Sequence, residues 1–290
     1  MNTNELLRQT KIGYLPLAVW ISAAVMIGVS AQAQDERTRY FPKTWDYAKS
    51  IPAKENVWIF VLAGQSNMAG RGLIQPSDTI PNNRILTINA TNELIVAKEP
   101  LHFYEPNLTG LDCGMSFANR LLQGVGNEIS ILLIPAAVGG SSSHQWLGDS
   151  IHRDVKLMTN FRQRVSSAAK FGTIKGILWH QGESDTNDKS IPGYEERLAK
   201  IYQEFRKICE DPTLPILIGN LGSYSENQHR WNAVNAAIEK YASSDKNAFV
   251  IETFDLKSKA DKIHFDAEGQ RTMGIRMAET FLNIAGLQKK

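Results

Sequence analysis

Short apolar runs rich in β-branched residues alternate with longer segments of helical periodicity along most of this chain. The predicted strands span 57–63, 84–89, 129–136, 174–179, 215–220 and 248–251. The predicted helices span 114–124, 153–170, 192–209, 228–242 and 267–285, the last with Asp266 as N-cap. Continuous apolar strands separated by helices are typical of a parallel sheet whose two faces are both covered. The pattern therefore predicts an α/β fold.

The length of 290 residues and the hydrophobic content of 42% suit one medium-sized domain with a sizeable core. Charged residues make up 21% of the chain, and its formal net charge is only +2. So weak a charge imbalance favours neither nucleic acid nor an anionic membrane as a partner. The function has to be inferred from a site.

The first 33 residues have the pattern of a secretory signal peptide. Arg8 and Lys11 precede an apolar run at 12–29, and Ala31-Gln32-Ala33 forms a small-residue cleavage signal. An uncleaved membrane anchor is the alternative, because about 18 apolar residues approach the spanning length. We expect cleavage between Ala33 and Gln34, no stable membrane insertion afterwards, and a secreted or periplasmic protein. Residues 34–56 are then an irregular lead-in to a single domain at 57–290.

The two cysteines, Cys113 and Cys209, match neither a zinc nor a redox motif. They can form a disulfide in an oxidising compartment or remain as two buried thiols.

A serine follows the first predicted strand, in the segment Gly64-Gln65-Ser66-Asn67-Met68. In an open α/β sheet this places Ser66 at the ligand crevice, where N–H groups at a helix start can stabilise an anion. The alternative is that Ser66 is only a helix N-cap. The segment lacks the Gly-Lys-Ser/Thr ending of a phosphate loop, and Met68 breaks the Gly-x-Ser-x-Gly pattern of a nucleophile elbow.

Two further loops follow predicted strands with residues suited to oxyanion binding. Gly139 and Gly140 can present backbone N–H groups, although for this loop taken alone a flexible turn is the favoured explanation. Gln181 can offer an amide donor, and Glu183 can orient its neighbours. His180 and Glu183 are also spaced as metal ligands on one helix face, but here they follow a strand and span a glycine, so we expect no metal.

The segment before the last predicted helix contains Asp261 and His264. A carboxylate on one imidazole nitrogen leaves the other free to accept a proton from a serine hydroxyl. A surface turn with an incidental histidine is the alternative. Together the loops supply a nucleophile, oxyanion donors and a base, which predicts a serine hydrolase that needs no cofactor.

At these residues the sequence resembles the SGNH hydrolase superfamily, and within it the carbohydrate acetylesterases of family 6 and the sialate O-acetylesterase-like domain. The resemblance covers about residues 55–285 and is carried by Gly64-Gln65-Ser66-Asn67-Met68, His180-Gln181-Gly182-Glu183-Ser184-Asp185 and the Asp261/His264 pair. It implies a three-layer α/β/α sandwich with a flavodoxin-like parallel sheet. Gln181 stands where most members of the superfamily have an asparagine.

The resemblance also implies a role for each matched residue. Ser66 is the expected nucleophile, His264 the base and Asp261 its orienting acid, while Glu183 is left open as a second acid. The expected oxyanion hole comprises the N–H of Ser66, an N–H at Gly139 (preferred) or Gly140, and the side chain of Gln181, with Gln65, Asn67 and Glu183 in support.

The function expected from export and resemblance together is removal of acetyl groups from a polysaccharide such as acetylxylan. A sialate O-acetylesterase is the nearest alternative. A non-catalytic carbohydrate-binding protein is the alternative of another class, with Trp146, Trp45 and Trp58 as aromatic contacts. Of these, Trp146 follows the glycine loop and is the candidate sugar platform.

Overall fold

The structure is a computed structural model that describes residues 36–287. The chain divides into a unit Met1–Arg39 and a compact unit Tyr40–Lys290. The predicted signal peptide and its cleavage site lie outside the described residues. No helix within 36–287 is both long enough and apolar enough to cross a membrane.

A seven-stranded sheet forms the centre of the compact unit, in the order β3-β2-β4-β1-β7-β8-β9. The strands of this sheet are β1 (Val57–Gly64), β2 (Ile85–Ile88), β3 (Leu94–Val96), β4 (Ser130–Pro135), β7 (Thr173–His180), β8 (Ile216–Gly219) and β9 (Ala248–Ile251). A separate hairpin is formed by β5 (Ile151–His152) and β6 (Val155–Lys156). Every pair in the large sheet is parallel except β2–β3. All six predicted strands are confirmed.

The strands β4-β1-β7-β8-β9, counted among themselves along the chain, have the order 2-1-3-4-5. This is the flavodoxin-like order, so the predicted fold class is confirmed. Strands β2 and β3 extend the sheet beyond β4. The three-residue β3 was not predicted, because it is too short to show a periodicity. The strand order reverses at β1. In folds of this kind the ligand crevice lies at such a reversal, here at the carboxyl ends of β1 and its neighbours β4 and β7.

All five predicted helices are present, and two short helices follow β1 and β4. They are α1 (Ser66–Ala69), α2 (Gly114–Leu122), α3 (Ser143–Leu147), α4 (Leu157–Ala169), α5 (Tyr194–Ile208), α6 (Gln228–Ser244) and α7 (Ala267–Ile284). The predicted N-cap of α7 is confirmed, because Asp266 Oδ1 accepts a hydrogen bond of 2.7 Å from the N–H of Gly269.

The prediction that a helix starts at residue 153 is wrong. Residues 151–156 instead form the β5–β6 hairpin, in which Arg153 and Asp154 have φ values of 49° and 62°. Two successive residues with positive φ are characteristic of a tight type I′ turn. The segment lacks the Asn-Gly or Asp-Gly signal that normally identifies this turn in a sequence.

The residues of β1 alternate between two hydrophobic cores, one on each face of the sheet. Ile59 and Val61 face one core, whereas Phe60 and Leu62 face the other. The first core is completed by α4, α5 and α6, and the second by α2 and α7. This arrangement is a three-layer α/β/α sandwich, with each core made by the period-two alternation of a buried strand.

Aromatic rings fill the core beneath α5. Phe205 is fully buried and stacks on Phe161 with 4.1 Å between ring centroids, while Trp146 and Trp179 contact it edge-on at 5.7 and 5.5 Å. Phe205, on α5, therefore contacts α3, α4 and the central sheet through one side chain.

Replacing Phe205 with alanine should lower the free energy of unfolding by about 3–5 kcal/mol, because it removes buried contacts and leaves a cavity. Urea denaturation followed by circular dichroism measures the change. Phe254→Ala is the matched control, since the Phe254 side chain is 64% exposed and its loss should change stability little. A similar loss for both variants would contradict the central position of Phe205.

Both cysteines are free thiols in the structure, so the alternative of two unpaired thiols applies. Cys113 belongs to the core under α2 and α7, whereas Cys209 packs against the core on the opposite face of the sheet. Burial raises the pKa of the Cys113 thiol well above its ordinary value and that of Cys209 to about 12. Neither thiol is therefore activated as a nucleophile.

Candidate active site

A glycine at the end of β1 allows the chain to turn tightly against β7. Gly64 has φ of 133°, and a Cβ at this position would lie 2.1 Å from the carbonyl oxygen of His180. Only glycine has access to that conformation and that close approach. The next residue, Gln65, donates its N–H to the same carbonyl at 2.9 Å. The turn thus fixes Ser66 at the first position of α1, beside the end of β7.

Ser66 and His264 are in direct hydrogen-bond contact although 198 residues separate them in the chain. His264 Nε2 lies 2.9 Å from Ser66 Oγ. His264 Nδ1 lies 2.9 Å from Asp261 Oδ2. When Nδ1 carries the ring proton and donates it to the Asp261 carboxylate, Nε2 is free to accept the hydroxyl proton of Ser66. Only 6% of Ser66 as a residue is exposed to solvent.

Asp261 holds its own loop as well as the imidazole. Its Oδ1 accepts the backbone N–H groups of Ile263 and His264 at 3.0 and 2.9 Å. Burial acts to raise the pKa of Asp261, but the hydrogen bonds from the side chain and backbone of His264 outweigh it, and the pKa lies below its ordinary value. The carboxylate is therefore ionised at neutral pH and suited to orient His264.

Asn67 holds the backbone on both sides of His264. Its Oδ1 accepts the N–H of Phe265 at 3.0 Å, and its Nδ2 donates to the carbonyl of Ile263 at 3.2 Å. The same Nδ2 donates to Glu183 Oε1 at 2.5 Å. Because Asn67 follows Ser66 directly, these bonds fix the imidazole relative to the serine hydroxyl.

Glu183 is hydrogen-bonded to Asn67 and not to His264, so the carboxylate that contacts the imidazole is that of Asp261. Glu183 Oε1 also lies 3.6 Å from His180 Nδ1. Burial lowers the pKa of His180, with the Glu183 carboxylate acting in the opposite direction. Within residues 36–287 no group of three or more His, Cys, Asp or Glu side chains is arranged to hold a metal ion.

The glycine loop after β4 is fixed by a buried ion pair that the sequence did not reveal. Gly139 donates its N–H to Glu105 Oε2 at 2.5 Å, and Glu105 Oε1 pairs with Arg71 at 2.9 Å and Arg153 at 2.6 Å. Burial acts to raise the pKa of Glu105, but the two arginines and the N–H of Gly139 hold it below its ordinary value. The N–H of Gly139 would have to leave this carboxylate to reach an oxyanion.

Gly140 is the better placed of the two glycines to donate. It is exposed with φ of 78°, and its N–H has no hydrogen-bond partner among the residues that the structure describes. The N–H of Ser66, at the start of α1, likewise has no partner within the described part of the chain. These two backbone N–H groups are available to stabilise a developing oxyanion.

Gln181 lies at the crevice floor and is fully buried. Its Nε2, which carries two protons, lies within hydrogen-bond distance of three acceptors: Asp185 Oδ2 at 2.7 Å, the carbonyl of Ser141 at 3.1 Å and Gln65 Oε1 at 3.2 Å. Its Oε1 accepts the hydroxyl of Tyr194 at 2.9 Å. In this arrangement the amide joins the loops after β1, β4 and β7, and would have to give up one acceptor to donate to an oxyanion.

The prediction that Trp146 is a sugar platform is wrong. The side chain is fully buried, its Nε1 donates to Ser141 Oγ at 2.9 Å, and its ring packs edge-on against Trp179. The α3 helix turns this residue into the core instead of the crevice. A large apolar side chain after a strand gains more by burial than by exposure, which the sequence position did not reveal.

Comparison with known proteins gives the family. Residues 56–283 match the model of the family described as carbohydrate esterase, sialic acid-specific acetylesterase. The chain belongs to this family. It is accordingly a carbohydrate esterase, a hydrolase that acts on esters.

Relatives support the same assignment. A probable carbohydrate esterase from Arabidopsis thaliana is 28% identical over 247 residues, which cover 78% of this chain and 90% of the relative. An X-ray structure of an Arabidopsis thaliana protein superposes with a TM-score of 0.70 at 29% identity, over 78% of this chain and 98% of that one. The fold is also similar to that of NanS, with a TM-score of 0.66 at 15% identity over 82% and 100% of the two chains.

Asn67→Ala should lower kcat by roughly 10²-fold with a much smaller change in KM, because a displaced imidazole meets Ser66 in the wrong geometry. Steady-state kinetics with p-nitrophenyl acetate measure both constants. Asn187→Ala is the control, since Asn187 lies in a neighbouring loop and its side chain bonds to the backbone of that same loop. Unchanged kcat in Asn67→Ala would show that Asn67 does not hold the base.

Proposed function

We propose that the protein is a carbohydrate O-acetylesterase in which Ser66 is the nucleophile, His264 the general base and Asp261 its orienting acid. The observation that carries the proposal is the continuous line of 2.9 Å contacts from Ser66 Oγ through both ring nitrogens of His264 to Asp261. Membership of the carbohydrate esterase family indicates that the substrate is an ester of a carbohydrate. These residues supply the chemistry.

In the first half of the reaction, Ser66 Oγ attacks the carbonyl carbon of the acetyl ester while His264 Nε2 takes the hydroxyl proton. The negative charge that develops on the carbonyl oxygen is stabilised by the N–H groups of Ser66 and Gly140. The tetrahedral intermediate then collapses, the bond to the sugar oxygen breaks, and His264 returns the proton to that oxygen. The products are the free sugar hydroxyl and an acetyl group on Ser66.

In the second half, water takes the place of the sugar. His264 Nε2 removes a proton from the water as its oxygen attacks the acetyl carbonyl. When the second intermediate collapses, the bond to Ser66 Oγ breaks and His264 returns the proton to that oxygen, which leaves free Ser66 and acetic acid that ionises to acetate. Ionised Asp261 stabilises the imidazolium that forms in both halves. Water is the only co-reactant in these steps, and they use no cofactor.

The substrate that we propose is an acetylated polysaccharide such as acetylxylan, met after export from the cell. Export rests on the signal-peptide pattern of residues 1–33, with cleavage between Ala33 and Gln34. The family description names sialic acid, which favours a sialate O-acetylesterase as the second candidate.

Ser66→Ala should reduce hydrolysis of p-nitrophenyl acetate by at least about 10³-fold, because the acyl-enzyme can no longer form. The thermal unfolding midpoint should change little, which separates lost chemistry from lost structure. A fluorophosphonate probe should label the wild type and not the variant. A variant that hydrolyses the ester at the wild-type rate would exclude Ser66 as nucleophile, and a wild type that is neither labelled nor active would indicate a carbohydrate-binding role instead.

Acetate release from acetylxylan, acetylated pectin and O-acetylated sialic acid, assayed side by side with Ser66→Ala as blank, identifies the sugar. We expect the largest kcat/KM on acetylxylan. Release from the sialic acid alone would establish the second candidate and overturn the first.

A further inference from the structure

The hairpin formed by β5 and β6 lies against the glycine loop and brings His152 to it. His152 Nε2 is 2.9 Å from the carbonyl oxygen of Gly139. His152 Nδ1 is 3.2 Å from Gln145 Nε2. Sequence reasoning gave His152 no role, because it lies 13 residues beyond Gly139 and only the hairpin brings the two together.

Helix capping at the start of α3 decides which nitrogen of His152 carries the proton. The N–H of Ser142 donates to Gln145 Oε1 at 2.9 Å, in a capping box completed by a bond from the N–H of Gln145 to Ser142 Oγ. With Oε1 fixed as the acceptor, Gln145 Nε2 is the donor to His152 Nδ1. The neutral ring therefore carries its proton on Nε2 and donates it to the carbonyl of Gly139.

The carbonyl of Gly139 belongs to the same peptide as the N–H of Gly140. In a planar trans peptide these two groups point in opposite directions, so a bond that fixes one also fixes the other. The loop is held on either side of this peptide, where Gly139 donates its N–H to Glu105 and the carbonyl of Gly140 accepts the hydroxyl of Ser184 at 3.0 Å. Gly140 is an exposed residue, and its N–H has no hydrogen-bond partner among residues 36–287.

We infer that His152 is a positioning residue for the oxyanion hole: through Gly139 it aims the N–H of Gly140 away from the hairpin and toward the crevice at Ser66. The inference rests on the proposed function, since it needs an oxyanion formed at Ser66. Hydrogen bonds connect Ser142 to Gln145, Gln145 to His152, and His152 to the peptide that carries the N–H of Gly140. Preorganised donors of this kind stabilise the transition state more than the bound substrate.

Removing the His152 donor should therefore lower kcat and leave KM nearly unchanged. His152→Ala and His152→Phe remove the donor, the second while keeping a ring of similar shape. Each should reduce kcat on p-nitrophenyl acetate by roughly 10- to 10²-fold, because the effect on the oxyanion is indirect. His152→Gln supplies a new N–H donor and should recover part of the loss. His144→Ala is the matched control, since His144 is an exposed histidine of α3 and should leave kcat unchanged.

A trifluoromethyl ketone distinguishes positioning of the donor from a general structural effect. The ketone forms a tetrahedral oxyanion on Ser66, so its affinity should fall across the His152 variants in proportion to kcat/KM. Wild-type kcat and ketone affinity in His152→Phe would overturn the inference. The inference would also be overturned if the losses of kcat and ketone affinity paralleled a fall in the thermal unfolding midpoint and His152→Gln recovered neither. Failure of the proposed function has a different signature, because Ser66→Ala would then retain wild-type activity.

Discussion

The close approach of β1 to β7 at Gly64 is the contact on which the active site depends. With no side chain at this position, the main chain of Gly64 lies against the carbonyl of His180, and the following N–H bonds to that same oxygen. A Cβ would separate the two strand ends at the point where the strand order reverses. The turn that presents Ser66 and the loop that bears Gln181 and Glu183 would then no longer be held at a fixed distance from each other.

Buried polar side chains carry this alignment outward from the sheet. Gln181 joins the loops after three neighbouring strands, and Asn67 extends the connection to the loop of His264. The amide donors of Gln181 and Asn67 are satisfied inside the protein, where an unpaired polar group would cost about 1–3 kcal/mol. The network therefore acts as a rigid floor, and the groups left open above it are the imidazole, the serine hydroxyl and two backbone N–H groups. That division suits an enzyme whose oxyanion donors must be fixed before the charge forms.

Much of the fold could be predicted because its signal is local. Buried strands such as β1 and β4 are apolar throughout, and their lengths and flanking residues separate them from helices. The elements that escaped prediction have weak local signals: β3 has three residues, and the β5–β6 hairpin turns at Arg153 and Asp154 without glycine or asparagine. There the tertiary contacts of Arg153 with Glu105 and of His152 with Gly139 accompany a turn that local preference disfavours.

The sequence by itself determined the class of fold, the N-cap at Asp266 and a set of candidate active-site residues, because these depend on periodicity and on short motifs. Only the tertiary structure decided how that set is used. It brought His264 to Ser66 across 198 residues, placed Asp261 and not Glu183 on the imidazole, and turned Trp146 into the core. It also placed Glu105 and His152, which no motif identifies, in contact with Gly139. The physical reason is that a hydrogen bond depends on distances between atoms, and strand order in the sheet, not separation along the chain, sets those distances.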